Sequence, residues 1–141
     1  WCYPLEAGDG TVTVRFVRDG DASIFPDAGE VAAVLAHIEE VRPVTAHVYV
    51  FAPVAQAVNF TIALTPSTAS VRASVAASLR DLLLREAVPE GGAGEGTILL
   101  SHIREAISLA GGETDHDLVA PVADVTLTTG QMAVFGAITW A

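Results

Sequence analysis

No lysine occurs anywhere in the 141 residues; all seven basic side chains are arginines. That absence excludes a phosphate-gripping P-loop lysine and a Schiff-base lysine together. A single cysteine, Cys2, rules out an internal disulfide and a cysteine-rich zinc site, and it agrees with a reducing compartment. Positive charge is scarce. Seventeen acids against seven arginines leave a net charge of −10. Residues 1–54 hold eight of the acids and three of the arginines, so neither part carries the basic stripe that a phosphate backbone requires. Nucleic acid is therefore not an expected partner. No apolar run approaches the ~20 residues that cross a bilayer and no charged-then-apolar leader opens the chain, so membrane insertion is not expected either. Position 1 is Trp1 rather than methionine, which leads us to expect a fragment of a longer protein.

What the chain does have is apolar material. Hydrophobic residues make up 51% of it and charged residues 17%, enough to bury a core in one ordinary domain or two small ones. Residues 11–17 (TVTVRFV) alternate, with Val12, Val14 and Phe16 on one face of a half-buried strand. A polar turn follows, and inside it Asp27 and Glu30 stand at capping-box spacing. Val31, Val34, Leu35, Ile38 and Val41 then recur at helical spacing until Pro43, predicting a helix over 28–42. Residues 46–51 (AHVYVF) read as a second strand.

Residues 52–56 interrupt that run. Beyond them Val58, Phe60, Ile62 and Leu64 alternate as a third strand. The stripe Val71, Val75, Leu79, Leu82 and Leu83 predicts a helix over 67–87, closed by Pro89. Residues 98–100 are short and extended, and Ser101 is placed to cap a helix over 101–110 that ends at Gly111-Gly112. Strands are expected at 116–127 and 133–140, with a turn at Thr129-Gly130. The order is β-α-β followed by β-α-α-β-β. Strands and helices do not alternate regularly, so the expectation is α+β in two small units, 1–54 and 55–141, rather than one doubly wound sheet.

Three stretches invite a chemical reading. PEGGAGEGTILLSHIREAI, residues 89–107, sets a glycine-rich loop before a helix, with Gly91 and Gly96 at P-loop spacing. A helix rather than a strand precedes it, Glu95 stands beside the second glycine, and no lysine is available. The loop reads as a flexible helix-to-helix connection. Residues 19–30 place Asp19, Asp21, Ser23, Asp27 and Glu30 in the register of a calcium loop, but Ile24 occupies the turn position that needs glycine. Turn-forming acids and a capping box explain the same residues without metal. Among the histidines, none forms an HxxxH or HExxH pair. His37 reads as solvated, and His47 as packed on the strand face it shares with Tyr49 and Phe51. Asp115, His116 and Asp117 alternate between faces, and Ser101-His102 lacks a GxSxG setting. The sequon at Asn59 lies inside a strand. No catalytic, cofactor-binding or metal-ligating residue is assigned, and no cofactor is expected.

The segments GTVTVRFVRDGDASIFPDAGEVAAV, RPVTAHVYVFAPVAQAVNFTIALTP and GTILLSHIREAISLAGGETDH resemble the baseplate J-like proteins of Mu-like contractile-tailed bacteriophages. The AVNF at 57–60 and the helix start LLSHIREAI are among the more specific pieces, and the likeness extends over residues 1–141. It corresponds to the C-terminal part of such a protein. The resemblance implies a non-catalytic wedge component of a phage or prophage tail baseplate, assembled in the bacterial host cytoplasm. Its implied partners are the other wedge and hub proteins, and it brings no obligate cofactor. Against that pattern, residues 91–95 form an enlarged loop. The isolated fragment is expected to be a monomer or weak oligomer. The alternative is a small ligand- or calcium-binding α+β module with 19–30 as its site; a hydrolase ranks last.

Overall fold

The computed structural model describes all 141 residues. Its elements are β1 (Cys2–Pro4), β2 (Thr11–Arg15), α1 (Ala28–Val41), β3 (His47–Phe51), β4 (Val54–Thr65), α2 (Ala69–Glu86), α3 (Leu100–Ser108), β5 (Asp115–Ala120) and β6 (Gln131–Trp140). This is the expected α+β order with one short strand, β1, added at the front. Two three-stranded sheets result, ordered β1-β2-β3 and β5-β4-β6.

In the N-terminal sheet β2 and β3 run parallel, so the connection between them must cross over, and α1 makes that crossing and packs on β3. β1 pairs antiparallel with β2 and supplies the third strand that a two-stranded ribbon would lack. α1 starts as its sequence dictates. The Asp27 side chain accepts from Glu30 N and the Glu30 side chain accepts from Asp27 N, both at 2.9 Å. Its apolar stripe is only half-buried, however: Val34, Leu35 and Ile38 retain partial exposure, and no residue of the helix is fully buried. One small sheet lies under the helix and nothing lies over it.

The C-terminal sheet is built around β4, which pairs antiparallel with β5 and parallel with β6. The core is here. Eighteen buried residues form one cluster, drawn from β4, α2, α3, β5, β6 and their connections, all between Val58 and Ala133. Val58, Phe60, Ile62 and Leu64 are the inward set of β4, and Val71, Val75, Leu79, Leu82 and Leu83 the buried stripe of α2, as the two periodicities require. α3 adds Ile103, Ala106 and Ile107.

Several boundaries differ from the sequence expectation; β4 already begins at Val54, inside the stretch 52–56 read as an interruption. β5 ends at Ala120 rather than 127, because Pro121 has no N–H to continue the ladder; Val125 instead bridges Ile98. Ser101 does not cap α3. Leu100 N donates to Asp124 Oδ1 at 2.8 Å, so the cap comes from 24 positions along the chain, beyond the reach of local pattern.

The uneven core predicts uneven sensitivity. Leu79 is fully buried at the centre of the cluster, whereas Val44 is 97% exposed. Leu79→Ala is expected to cost about 2–5 kcal/mol and Val44→Ser to stay within about 0.5 kcal/mol of the parent in urea unfolding. Equal midpoints for the two variants would contradict the placement of the core.

Candidate functional site

The glycine loop is not a slack connection. Glu90, expected to lie in a flexible linker, is 3% exposed and anchors the segment. Its Oε1 accepts from Gly92 N at 2.6 Å and Gly94 N at 2.9 Å, and its Oε2 from Gly96 N at 2.9 Å. Glu95 Oε2 takes Ala93 N at 3.1 Å and, more weakly, Gly91 N at 3.4 Å. The loop therefore does form an anion cradle of successive backbone N–H groups, and the chain's own carboxylates fill it. Gly92 and Gly94 have positive φ, which lets the loop curl around a single side chain. At Gly96 a Cβ would stand 3.0 Å from Val88 O and 3.1 Å from Glu90, so a side chain at the third donor would crowd the loop.

Glu90 also ties the loop to the C-terminal sheet. Its N–H donates to Gln131 O at 2.8 Å, and its carbonyl accepts from Gly130 N at 2.7 Å, at the start of β6. The neighbouring residues meet the N-terminal sheet. Tyr3 Oη donates to Pro89 O, and the Tyr3 ring lies so close to Gly91 that a Cβ there would overlap it. The Arg15 guanidinium sits 5.2 Å from the centre of the Tyr3 ring and beside Gly130. Arg15 Nη1 and Nη2 fork onto Glu6 at 2.9 and 2.7 Å in a nearly buried pair, while its Nε has no partner.

This junction inverts the sequence reading of β2. The polar positions Thr11, Thr13 and Arg15 are its buried face, and Val12 and Val14 are half-buried on the opposite face. Alternation told the two faces apart without telling which would be covered more. His47, Tyr49 and Phe51 share the polar face by register. They lie on the outer strand of the sheet, so His47 is exposed rather than packed, and Tyr49 stacks openly on Phe51 at 6.2 Å between ring centres.

The remaining candidates are spoken for individually. Arg18 bridges Asp21 at 2.7 Å and also pairs with Glu30, so a guanidinium occupies the acidic turn at 19–30. Asp27 is committed to the α1 cap, Ser23 Oγ donates to Phe25 O at 3.3 Å, and no three of these groups converge. His37 is exposed. His102 Nδ1 lies 2.8 Å from Glu86, whose hydrogen bond and charge raise the imidazole pKa, and His116 lies 2.8 Å from Glu113. The structure brings no nucleophile to either ring. Asn59 Oδ1 accepts from Ala137 N at 2.9 Å beside a bulge between β4 and β6, where a Cβ on Gly136 would collide with it.

Burial pushes the Glu90 carboxyl up, but the N–H donors of Gly94, Gly92 and Gly96 outweigh it and hold the group below its ordinary value. Burial likewise opposes the Arg15 hydrogen bonds at Glu6, and again the lowering wins. Both carboxylates therefore contribute stability that is fully present above roughly pH 4.3 and is lost as pH falls toward their depressed folded values. Glu90→Ala, which strands three N–H groups, is expected to cost about 3 kcal/mol or more at neutral pH, and Glu90→Gln about 1–2 kcal/mol. Glu90→Gln should also flatten the loss of stability between pH 5 and 3. Urea melts across that range check both, and a Glu90→Ala protein as stable as the parent would show the cradle to be idle.

With this geometry in place, the comparisons with known proteins fall on the same two sheets. The Baseplate J-like central domain matches residues 1–52, and the Baseplate J-like protein C-terminal domain matches residues 58–141. The Escherichia coli (strain K12) protein JayE is 38% identical over 141 residues, covering 99% of this chain and 52% of its own length. The Mu-like prophage FluMu protein gp47 of Haemophilus influenzae is 38% identical over 151 residues, covering 99% of this chain and 41% of its own. The baseplate protein gp47 of Escherichia phage Mu is 30% identical over 150 residues, with 99% and 40% covered. The chain thus spans about half the length, or less, of these relatives. Matched by family models over both its sheets, it belongs to the Baseplate J-like protein family.

Proposed function

We propose that the full-length protein is a non-catalytic structural subunit of a contractile phage or prophage tail baseplate. In this reading it joins the wedges with other wedge and hub proteins and resides in the virion tail. The observation that carries it is the pair of family matches, which fall on the N-terminal and the C-terminal sheet in turn. The phage Mu relative is named for the baseplate, which supports the same location here.

The junction suits such a part. A subunit that passes force between neighbours needs a fixed angle between its pieces, and buried hydrogen bonds to a carboxylate resist bending more than an apolar contact does. We propose further that the two units expected at 1–54 and 55–141 are joined at Ala52-Pro53, just ahead of β4, and are held at a fixed angle by Arg15, Tyr3 and Glu90. No helix is long and apolar enough to cross a membrane.

Co-expression of the full-length protein with the other baseplate proteins of the same tail, followed by size-exclusion chromatography, tests the assembly role. Co-elution in a defined complex is expected. A protein that never co-elutes with a tail component, yet hydrolyses a small substrate, would overturn the reading.

A further inference from the structure

The ladder between β1 and β2 has a rung to spare. Trp1 and Arg15 exchange both backbone bonds, Arg15 N donating to Trp1 O at 3.0 Å and Trp1 N to Arg15 O at 2.8 Å. Tyr3 stands opposite Thr13, and Leu5 N donates to Thr11 O, so the odd positions of β2 turn their N–H and C=O toward β1. Carried past Arg15, the same alternation presents the N–H and C=O of Val17 at that edge. No backbone hydrogen bond reaches either group, and Val17 is only half-buried, so the position is open.

That rung opens onto an apolar groove of about 380 Å³, which Trp1, Val17 and Ile24 line from one side and Leu83, Leu84 and Val88 from the other. Leu84 is 77% exposed and Trp1 42%, so the groove leaves large apolar side chains in water. Residues opposite one another in an antiparallel pair carry their side chains on one face. A residue placed opposite Val17 therefore shares the face on which Trp1 and Val17 line the groove. The charges around it are of both signs, Asp19 with Arg80 and Arg85, so apolar fit and backbone pairing select the occupant rather than charge.

We propose that the protein's own chain fills this groove. In the full-length protein the stretch leading into Trp1 continues β1 backwards along Phe16 and Val17 and pairs with the free N–H and C=O of Val17. The second residue ahead of Trp1 is then apolar and sets its side chain into the groove against Leu84. The family matches supply the stretch: residues 1–52 correspond to a central domain, and the matched part is only 52%, 41% and 40% of the three relatives' lengths. The register delivers that stretch to Val17 with no loop left to close. Its effective concentration there exceeds what a separate partner or a second copy reaches. The inference concerns how the preceding part of the protein is fixed to these two sheets, and it stands whether or not the baseplate role does.

Hydrogen exchange on the full-length protein tests this. The Val17 amide and alternate amides just ahead of Trp1 should exchange about a hundredfold or more slowly than an unstructured peptide, at every protein concentration. Leu84→Asp puts a carboxylate where the apolar side chain is expected, and it should speed exchange of those amides at least tenfold while the amides of Val75 and Leu79 inside α2 keep their protection. Val122→Asp, at an equally exposed apolar position (80%) away from the groove, should change none of them. Unprotected amides at Val17 and ahead of Trp1 in the parent would overturn the proposal, and that measurement needs no variant to fold. Protection that Leu84→Asp leaves untouched would overturn it as well. Protection that vanishes on dilution would do the same, because a second copy would then be the occupant.

Discussion

A buried carboxylate with three backbone donors is the constraint on which the arrangement of this chain depends. Glu90 uses every polar atom it has: both oxygens hold the glycine loop, and its own N–H and carbonyl hold the start of β6. An ionised carboxylate at 3% exposure survives only because those donors replace the water it has lost. The loop in turn is ordered only because the carboxylate draws its amides inward. Pro89 and Gly91, fixed by their position beside Glu90, are what Tyr3 rests on, and Tyr3 is what covers Arg15.

The two sheets rely on that arrangement unequally. The C-terminal sheet holds the eighteen-residue cluster and is supported by its own helices. The N-terminal sheet has Val50 as its one fully buried aliphatic side chain, a helix with no fully buried residue, and a polar face that buries Thr11, Thr13 and Arg15. Removing one partner of a nearly buried pair such as Glu6–Arg15 costs about 3–5 kcal/mol, because the remaining charge has no water to return to. The N-terminal sheet is thus held by polar geometry, whereas the C-terminal one is held by apolar burial.

Most of this was legible where local periodicity decides the outcome. The stripes of α2 and β4, the Asp27–Glu30 cap and the α+β order follow from spacing that one strand or helix imposes by itself. What escaped depends on partners far away in sequence. Tyr3 reaches Pro89 over 86 positions, Asp124 caps α3 over 24, and the buried face of β2 is set by a loop that local alternation cannot see. Glu90 is the most instructive case. Four glycines within six positions signalled backbone N–H groups free to gather on an anion, and that signal was sound. The absence of lysine removed nucleotide as the anion and left the loop's own two glutamates, Glu90 and Glu95, as the alternative, whereas the segment had been expected to be flexible.

Native-state hydrogen exchange at the amides of Gly92, Gly94 and Gly96 tests the central claim most directly. A loop wrapped on a buried carboxylate opens only with the structure around it, so these three amides should exchange orders of magnitude more slowly than unstructured glycine. Their protection should also fall together in Glu90→Gln. Exchange of all three at the rate of an unstructured peptide in the parent protein would contradict the account, because the loop would then be the slack connection that its composition first implied.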